Sequence, residues 1–470
     1  MADLLHNEFP PDSIEAKDLA HLVHPTTNLA LHHQSGPHVL ARAQGAYVWD
    51  NQGKQYIEGM AGLWCTAFGY GEEELVQAAT EQMRKLSYSQ LFGGKTNEPS
   101  VLLAEKLKSM LPMQADRFFF GLSGSDANDT QIKLQWYYNN AIGKPEKKKV
   151  ISRWKGYHGV TVASGSLTGL PPFHNHFDLP IPYILHTDAP YYYRGAEAGE
   201  TERAFSARLA KSLEALIERE GGDTIAAFIA EPVCGAGGVI VPPEGYFEAI
   251  EPVLAAHDIQ LIADEVICGF GRTGNAFGMQ TVNMHPTTVS LAKAITSAYL
   301  PLSAVGVPDW LYEPFVELSP EVGNFAHGFT YTGHPVCAAL ALRNLELMEE
   351  RELFAHAARM SEPFQTRLKA LGEHPLVGDA RGVGMVGALE LVADKTTKAP
   401  YEASDGVGLN LQQAAQSHGL IVRAIGDTLA FCPPLIITEN QVHEIFDKVE
   451  LALADTLAYV RQQGLLVEQG

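Results

Sequence analysis

The chain is predicted to be α/β, with a large unit built on a mostly parallel sheet covered by helices and a smaller α+β unit drawn from both chain ends. Three observations predict this. Between residues 117 and 291, short apolar runs alternate with longer segments of helical periodicity, the pattern of a parallel sheet crossed by helices. Several of those runs end in a carboxylate or a glycine-rich turn, and ligands of open α/β sheets bind outside the strands' carboxyl ends. The 470 residues also exceed one typical domain, so at least two units are expected.

The first ~45 residues are rich in His and Pro and read as an irregular arm plus a short helix. Gly45 to Glu58 alternates on either side of Asn51-Gln52-Gly53, which predicts a β-hairpin. From Gly71 the pattern turns helical, with three glutamates in the first turn and Leu75, Ala78, Ala79, Gln82 and Met83 on one face. Strands are predicted at 117–120, 149–152, 226–231, 260–264 and 288–291, with helices at 126–141, 204–220 and 245–257. A long helix is expected at 335–351. Beyond it come helices at 362–371, 408–418 and 440–463 and strands at 385–391 and 428–431. The expected division is residues 1–71 as arm and part of the small unit, 72–340 as the large unit, and 341–470 as the rest of the small one. Lys147-Lys148-Lys149 reads as a solvated strand entry.

Composition excludes several classes. A hydrophobic content of 46% with 19% charged residues is ordinary for a globular core. The net charge of −21 argues against nucleic acid and anionic membranes as partners. No run approaches ~18 apolar residues, so no membrane span is expected. Met1 to Pro11 lacks a basic region followed by a long apolar stretch, so no export signal is expected. Five cysteines without a CxxC pair fit a reducing, cytoplasmic location better than a disulfide framework or a zinc site. His174-Asn175-His176 has no third ligand at a fixed spacing, so no metal is expected.

Chemistry concentrates at the strand ends. The run Ile259 to Ala263 ends in Asp264-Glu265-Val266, and the next apolar strand delivers a lone lysine, Lys293. That pair suits pyridoxal phosphate (PLP): the lysine forms the Schiff base, and the carboxylate keeps the pyridinium nitrogen protonated. Alone, the pair is more simply a surface lysine and a strand cap. Gly121-Leu122-Ser123-Gly124-Ser125-Asp126-Ala127-Asn128 lies between a strand and a helix, where exposed N–H groups and the helix dipole cradle a phosphate; it could also be ordinary capping. Tyr157-His158-Gly159 offers an aromatic face at a strand end, and Glu231 ends another apolar strand before Gly235-Ala236-Gly237-Gly238. Gly269 to Gly274 matches GxGxxG, the mark of a dinucleotide-dependent oxidoreductase. However, no helical periodicity follows at once and no acid stands ~20 residues on, so these glycines are read as shaping the Asp264 loop.

Taken in order, these segments resemble the class III aminotransferases, PLP enzymes of fold type I. The resemblance extends to Ala61-Gly62-Leu63-Trp64-Cys65 and to His327-Gly328-Phe329-Thr330-Tyr331-Thr332-Gly333-His334-Pro335, and runs from about residue 45 to 435. The subgroup it points to is the ω-aminotransferases that use pyruvate as acceptor. It implies Lys293 as the Schiff-base lysine and Asp264 as the pyridinium partner. Tyr157 and Val266 would cover the two ring faces, Gly124 and Ser125 would hold the phosphate, and His158 and Glu231 would border the cofactor. Phe329 and Thr330 would serve the neighbouring subunit's cofactor, so a homodimer or tetramer is implied. Trp64 and Phe92 would wall the substrate pocket, and Arg423 would bind carboxylates and swing aside for apolar amines. Two departures stand out: Asp126 replaces the usual Glu, and Tyr299 lies where a glycine usually follows the lysine segment, where it could crowd the cofactor.

The expected activity is transfer of an amino group from a primary amine, a diamine or a β-alanine-like ω-amino acid to a keto acid, pyruvate, in ping-pong fashion. A decarboxylating transaminase or an aminomutase on the same scaffold is the alternative within PLP chemistry.

Overall fold

A computed structural model describes residues 9–466. The export-signal expectation for Met1 to Pro11 falls almost wholly outside these residues. Fifteen strands are described, in three sheets. β1 (Leu40–Gln44), β2 (Tyr47–Asp50) and β3 (Gln55–Glu58) form an antiparallel ribbon that includes the predicted hairpin. The central sheet uses β4 (Arg117–Gly121), β5 (Lys149–Arg153), β6 (Ile184–Thr187), β7 (Ile225–Ala230), β8 (Gln260–Asp264), β9 (Thr288–Leu291) and β10 (Ser303–Val307). Its order is β4-β10-β9-β8-β7-β5-β6, parallel except for β10, which runs against both neighbours.

Every residue of β7, Ile-Ala-Ala-Phe-Ile-Ala, is buried, as expected of a strand covered on both faces. The helix Gly124–Ala141 starts at a capping box in which the Ser123 side chain accepts from the Asp126 N–H and the Asp126 carboxylate accepts from the Ser123 N–H. The shorter acid therefore caps this turn fully, and it also accepts from Leu122 N–H and Ser303 Oγ.

In the C-terminal part, β11 (Val377–Val383), β12 (Val386–Leu391), β14 (Arg423–Ile425) and β15 (Thr428–Phe431) form an antiparallel sheet of order β11-β12-β15-β14. β13 (Leu420–Ile421) instead pairs parallel to β3, which joins the two chain ends in one sheet. The helices Val407–Ser417 and Glu439–Gln462 pack on each other behind these strands.

Several elements differ from expectation. Helix 362–371 begins at Leu353, because Pro363, which looks like a first-turn proline, sits inside it. The helix Asp309–Val322 carries Pro314 and Pro320 and was not visible as a helical pattern. The helix Glu98–Met110 and the strands β1, β6, β10, β11, β13 and β14 also differ from the expectation, β1 lying where an irregular arm is expected. Lys147 is buried rather than solvated, its ammonium meeting the His257 and Asp258 carbonyls. Among the described residues, no helix is long and apolar enough to cross a membrane.

Candidate active site

β5, β7, β8 and β9 run parallel, so their carboxyl ends open on one side of the sheet. β5 leads into Tyr157-His158-Gly159, β7 ends one residue before Glu231, β8 ends in Asp264, and Lys293 stands just past β9. With the Ser123-Gly124-Ser125 turn after β4, these residues line a cavity of about 440 Å³. Its place matches the rule for ligand sites in open α/β sheets.

Asp264 is 3% exposed and firmly held. Its Oδ1 accepts from the Val266 N–H (3.1 Å), while Oδ2 accepts from the Asn128 side-chain amide (2.7 Å) and meets Nδ1 of His158 at 2.8 Å. Asn128 also donates to the His158 carbonyl (2.7 Å), which ties helix, loop and strand together. His158 thus reaches the site through Asp264, and its Nε2 is a buried atom with no hydrogen-bond partner. Glu231, also buried, accepts from the N–H groups of Tyr157 and Gly235, both at 2.9 Å, and so fixes the approach of the tyrosine loop. Burial pushes the Glu231 carboxyl above its usual range.

Lys293 has φ 52°, a left-handed conformation costly for a residue with a side chain, in the short 3₁₀ turn Lys293–Thr296. Asn344 braces that turn: its amide donates to the Ala294 and Ile295 carbonyls (both 3.0 Å), and its Oδ1 accepts from Ser297 Oγ (2.7 Å). The Lys293 amine makes no hydrogen bond or ion pair among the described residues. Burial holds its pKa below the usual lysine range, opposed by the Asp264 carboxylate. A lowered pKa raises the share of neutral amine, the nucleophilic form.

At the helix N-terminus, a Cβ on Gly124 would lie 3.0 Å from a Val266 methyl, so a larger residue there would push Val266 by a few tenths of an ångström. Ser125 Oγ accepts from the Val160 N–H (3.2 Å), and Gly159 packs so close to Ser125 that a Cβ there would fall 2.6 Å from Oγ. Ser123 is engaged as the helix cap.

Arg423 lies on β14, half-buried, with its guanidinium free of hydrogen bonds and ion pairs among the described residues. Burial lowers its pKa, and the Tyr157 hydroxyl acts on it electrostatically in the opposite direction. Asp427, the acid nearest in sequence, accepts instead from the Gly408 N–H (3.0 Å).

The structure brings Gly124, Ser125, Tyr157, His158, Glu231, Asp264, Val266 and Lys293 to one cavity. It does not bring Trp64, Phe92, Phe329, Thr330 or Arg423 into the lining, although Arg423 acts electrostatically on the lining residue Tyr157. Trp64 is buried in an apolar cluster with Ile267, and its neighbour Cys65 lines the cavity instead. Phe92 is 48% exposed and packs against the 325–328 loop in a separate groove. Thr330 is exposed, its carbonyl accepting from Tyr88 Oη (2.8 Å), and Phe329 is half-buried nearby. Tyr299 does not crowd the cavity: its hydroxyl accepts from the Glu72 N–H (2.6 Å), on the far side of the turn. Asn128, Asn344 and Cys65 were not singled out from sequence. Asn128 was the most findable, since it sits one turn into the helix that follows the Gly/Ser loop.

The residues fit PLP. A phosphate can meet the helix N-terminus at Gly124-Ser125, and a pyridinium nitrogen can meet the locked Asp264 carboxylate. The unpartnered Lys293 amine shares the same cavity. Fold and site define a PLP enzyme of fold type I. The family model "Aminotransferase class-III" matches residues 30–453, and the chain belongs to this family. Gamma-aminobutyrate transaminase 1, mitochondrial, of Oryza sativa subsp. japonica is 48% identical over 410 residues, covering 87% of this chain and 80% of that protein. An uncharacterized aminotransferase of Sinorhizobium fredii is 45% identical over 457 residues, 96% of this chain and 98% of that one. Among solved structures, the ω-transaminase from Pseudomonas jessenii in complex with PMP has a TM-score of 0.94 at 49% identity, covering 96% of this chain and 99% of that one. The protein is therefore a PLP-dependent transaminase.

Proposed function

We propose that this enzyme is an ω-aminotransferase that moves the amino group of a primary amine, a diamine or a β-alanine-like ω-amino acid to pyruvate. The observation that carries the reading is Arg423, a half-buried guanidinium with no hydrogen bond or ion pair among the described residues, which acts electrostatically on the cavity-lining Tyr157. A donor without a carboxylate and an acceptor with one must use the same site. A fixed, unpaired buried cation would penalise the first by several kcal/mol. An unpartnered arginine on a long side chain can meet the acceptor's carboxylate and withdraw for the donor.

When bound, PLP supplies a carbonyl that captures amines and a ring that takes up electrons from the substrate carbon. In this reading Lys293 would hold the cofactor, and its amine, once free, would take a proton from the substrate carbon as base and return it as acid. Asp264, fixed by Asn128 and His158, keeps the ring nitrogen protonated. Gly124 and Ser125 would hold the phosphate, and Tyr157 and Val266, which line the same cavity, would face the ring.

The same proposal includes a homodimer or a dimer of dimers in which Phe329 and Thr330 serve the partner's site. It is supported by the exposure of Tyr88, Phe92 and Tyr331 near Thr330, an aromatic surface of the kind that marks an interface. A reducing location such as the cytoplasm is likewise proposed, on five free cysteines. The rice relative's name points to γ-aminobutyrate as a donor. That ω-amino acid carries a carboxylate and would engage Arg423 in both half-reactions.

A donor panel with pyruvate fixed tests the reading. Alanine should accumulate in proportion to the aldehyde or ketone formed from an amine donor. Carbon dioxide release, or isomerised product without alanine, would replace it with a decarboxylating transaminase or an aminomutase.

A further inference from the structure

Far from the cavity, the N-terminal arm folds into two short helices, Ile14–His21 and Leu29–Ser35, neither of which contains a buried residue. Isolated helices of this length are marginal in water, so something other than an apolar core must hold them. What joins them is a side-chain cluster. Asp18 on the first helix meets Nε2 of His24 through Oδ1 (2.9 Å) and Oδ2 (2.8 Å), and its Oδ1 meets Nε2 of His32 on the second helix at 2.9 Å. The two imidazoles lie with ring centroids 4.1 Å apart.

We propose that Asp18, His24 and His32 form a binding site for a divalent cation of the zinc type, a clip that fastens the arm. The donor atoms all lie within 4.8 Å of one another. A tetrahedral zinc with bonds of ~2.0–2.2 Å sets its ligand atoms ~3.3 Å apart, so the carboxylate–imidazole separations of 2.8–2.9 Å would open by a few tenths of an ångström. Two imidazoles and one carboxylate are a zinc-type donor set, with the fourth position left to water. Each imidazole would then carry its proton on Nδ1. A surface cavity of about 380 Å³, bordered by Lys17, Asp18, His21, His24 and His38, gives an entry path. The sequence pair His174 and His176 forms no such cluster among the described residues. There His174 instead meets the Gly165 carbonyl at 3.0 Å.

The test titrates the holoenzyme, purified without a histidine tag, with Zn²⁺ alone. One equivalent per chain should bind beyond the background of Asp18→Asn/His32→Gln, with Tm rising by about 3 °C at a hundredfold excess over Kd. His24→Asn should weaken binding by more than the ~10–100-fold typical of outer partners. His33→Gln, adjacent but outside the cluster, should bind as wild type does and shows that the arm tolerates substitution. Equal Zn²⁺ binding by wild type and the double variant, or equal loss in His33→Gln, would overturn the proposal.

Discussion

The Asn128 amide donates to Asp264 Oδ2 at 2.7 Å, the same oxygen that meets His158 Nδ1. Hydrogen bonds to a buried carboxylate contribute about 1.5–3 kcal/mol. Asn128→Ala should therefore slow transamination by roughly 10–100-fold with little change in fold, because Asp264 loses its anchor on the phosphate-side helix. Steady-state kinetics and the absorbance of bound cofactor check this. Unchanged kcat/KM would remove Asn128 from the positioning machinery.

Arg423→Ala should separate the half-reactions. Single-turnover measurements should show a loss of about 10-fold or more with pyruvate, the scale of a charge-assisted hydrogen bond, and little loss with a carboxylate-free amine. Equal losses in both halves would refute the switching role. With an ω-amino acid donor, both halves should suffer.

Glu58 gives a pH prediction. It is 2% exposed, accepts from the Met60 N–H (2.9 Å) and from Tyr70 Oη (3.3 Å), and burial pushes its pKa up to about 7. The folded state therefore holds a proton that the unfolded chain releases above pH 4.5. Its contribution is fully present below that pH and is lost as pH rises toward 7, about 3 kcal/mol in all. Glu58→Gln should accordingly be more stable than wild type at pH 8 and lose that advantage near pH 5, as read by Tm. A difference independent of pH would contradict this.

The strands that carry the site were legible because β5, β7, β8 and β9 are short apolar runs ending in polar residues, and their order gave the cavity's floor directly. Gly124, Glu231, Asp264 and Lys293 stand at strand ends or helix starts, where local pattern fixes position. β10 was hidden because Ser-Ala-Val-Gly-Val is small and weakly patterned, and the helix 309–322 because its prolines mimic breaks. Trp64 and Phe92 could not be placed, since residues on irregular turns are positioned by packing rather than by period. Trp64 has φ 65° in a kinked turn and is buried in an apolar cluster rather than in the cavity lining.

Thr330 and its exposed apolar surroundings predict an obligate assembly. Sizing chromatography should give a dimer or tetramer, and PLP should raise its Tm by mass action. A monomer with full activity would contradict the shared site.

The most direct test of the central claim is Lys293→Ala, mixed with PLP and then with amine and pyruvate. The account predicts a folded protein of unchanged circular dichroism that produces no alanine, with the visible band of wild-type bound cofactor altered or absent. A variant that keeps both the wild-type band and near-wild-type alanine production would contradict it.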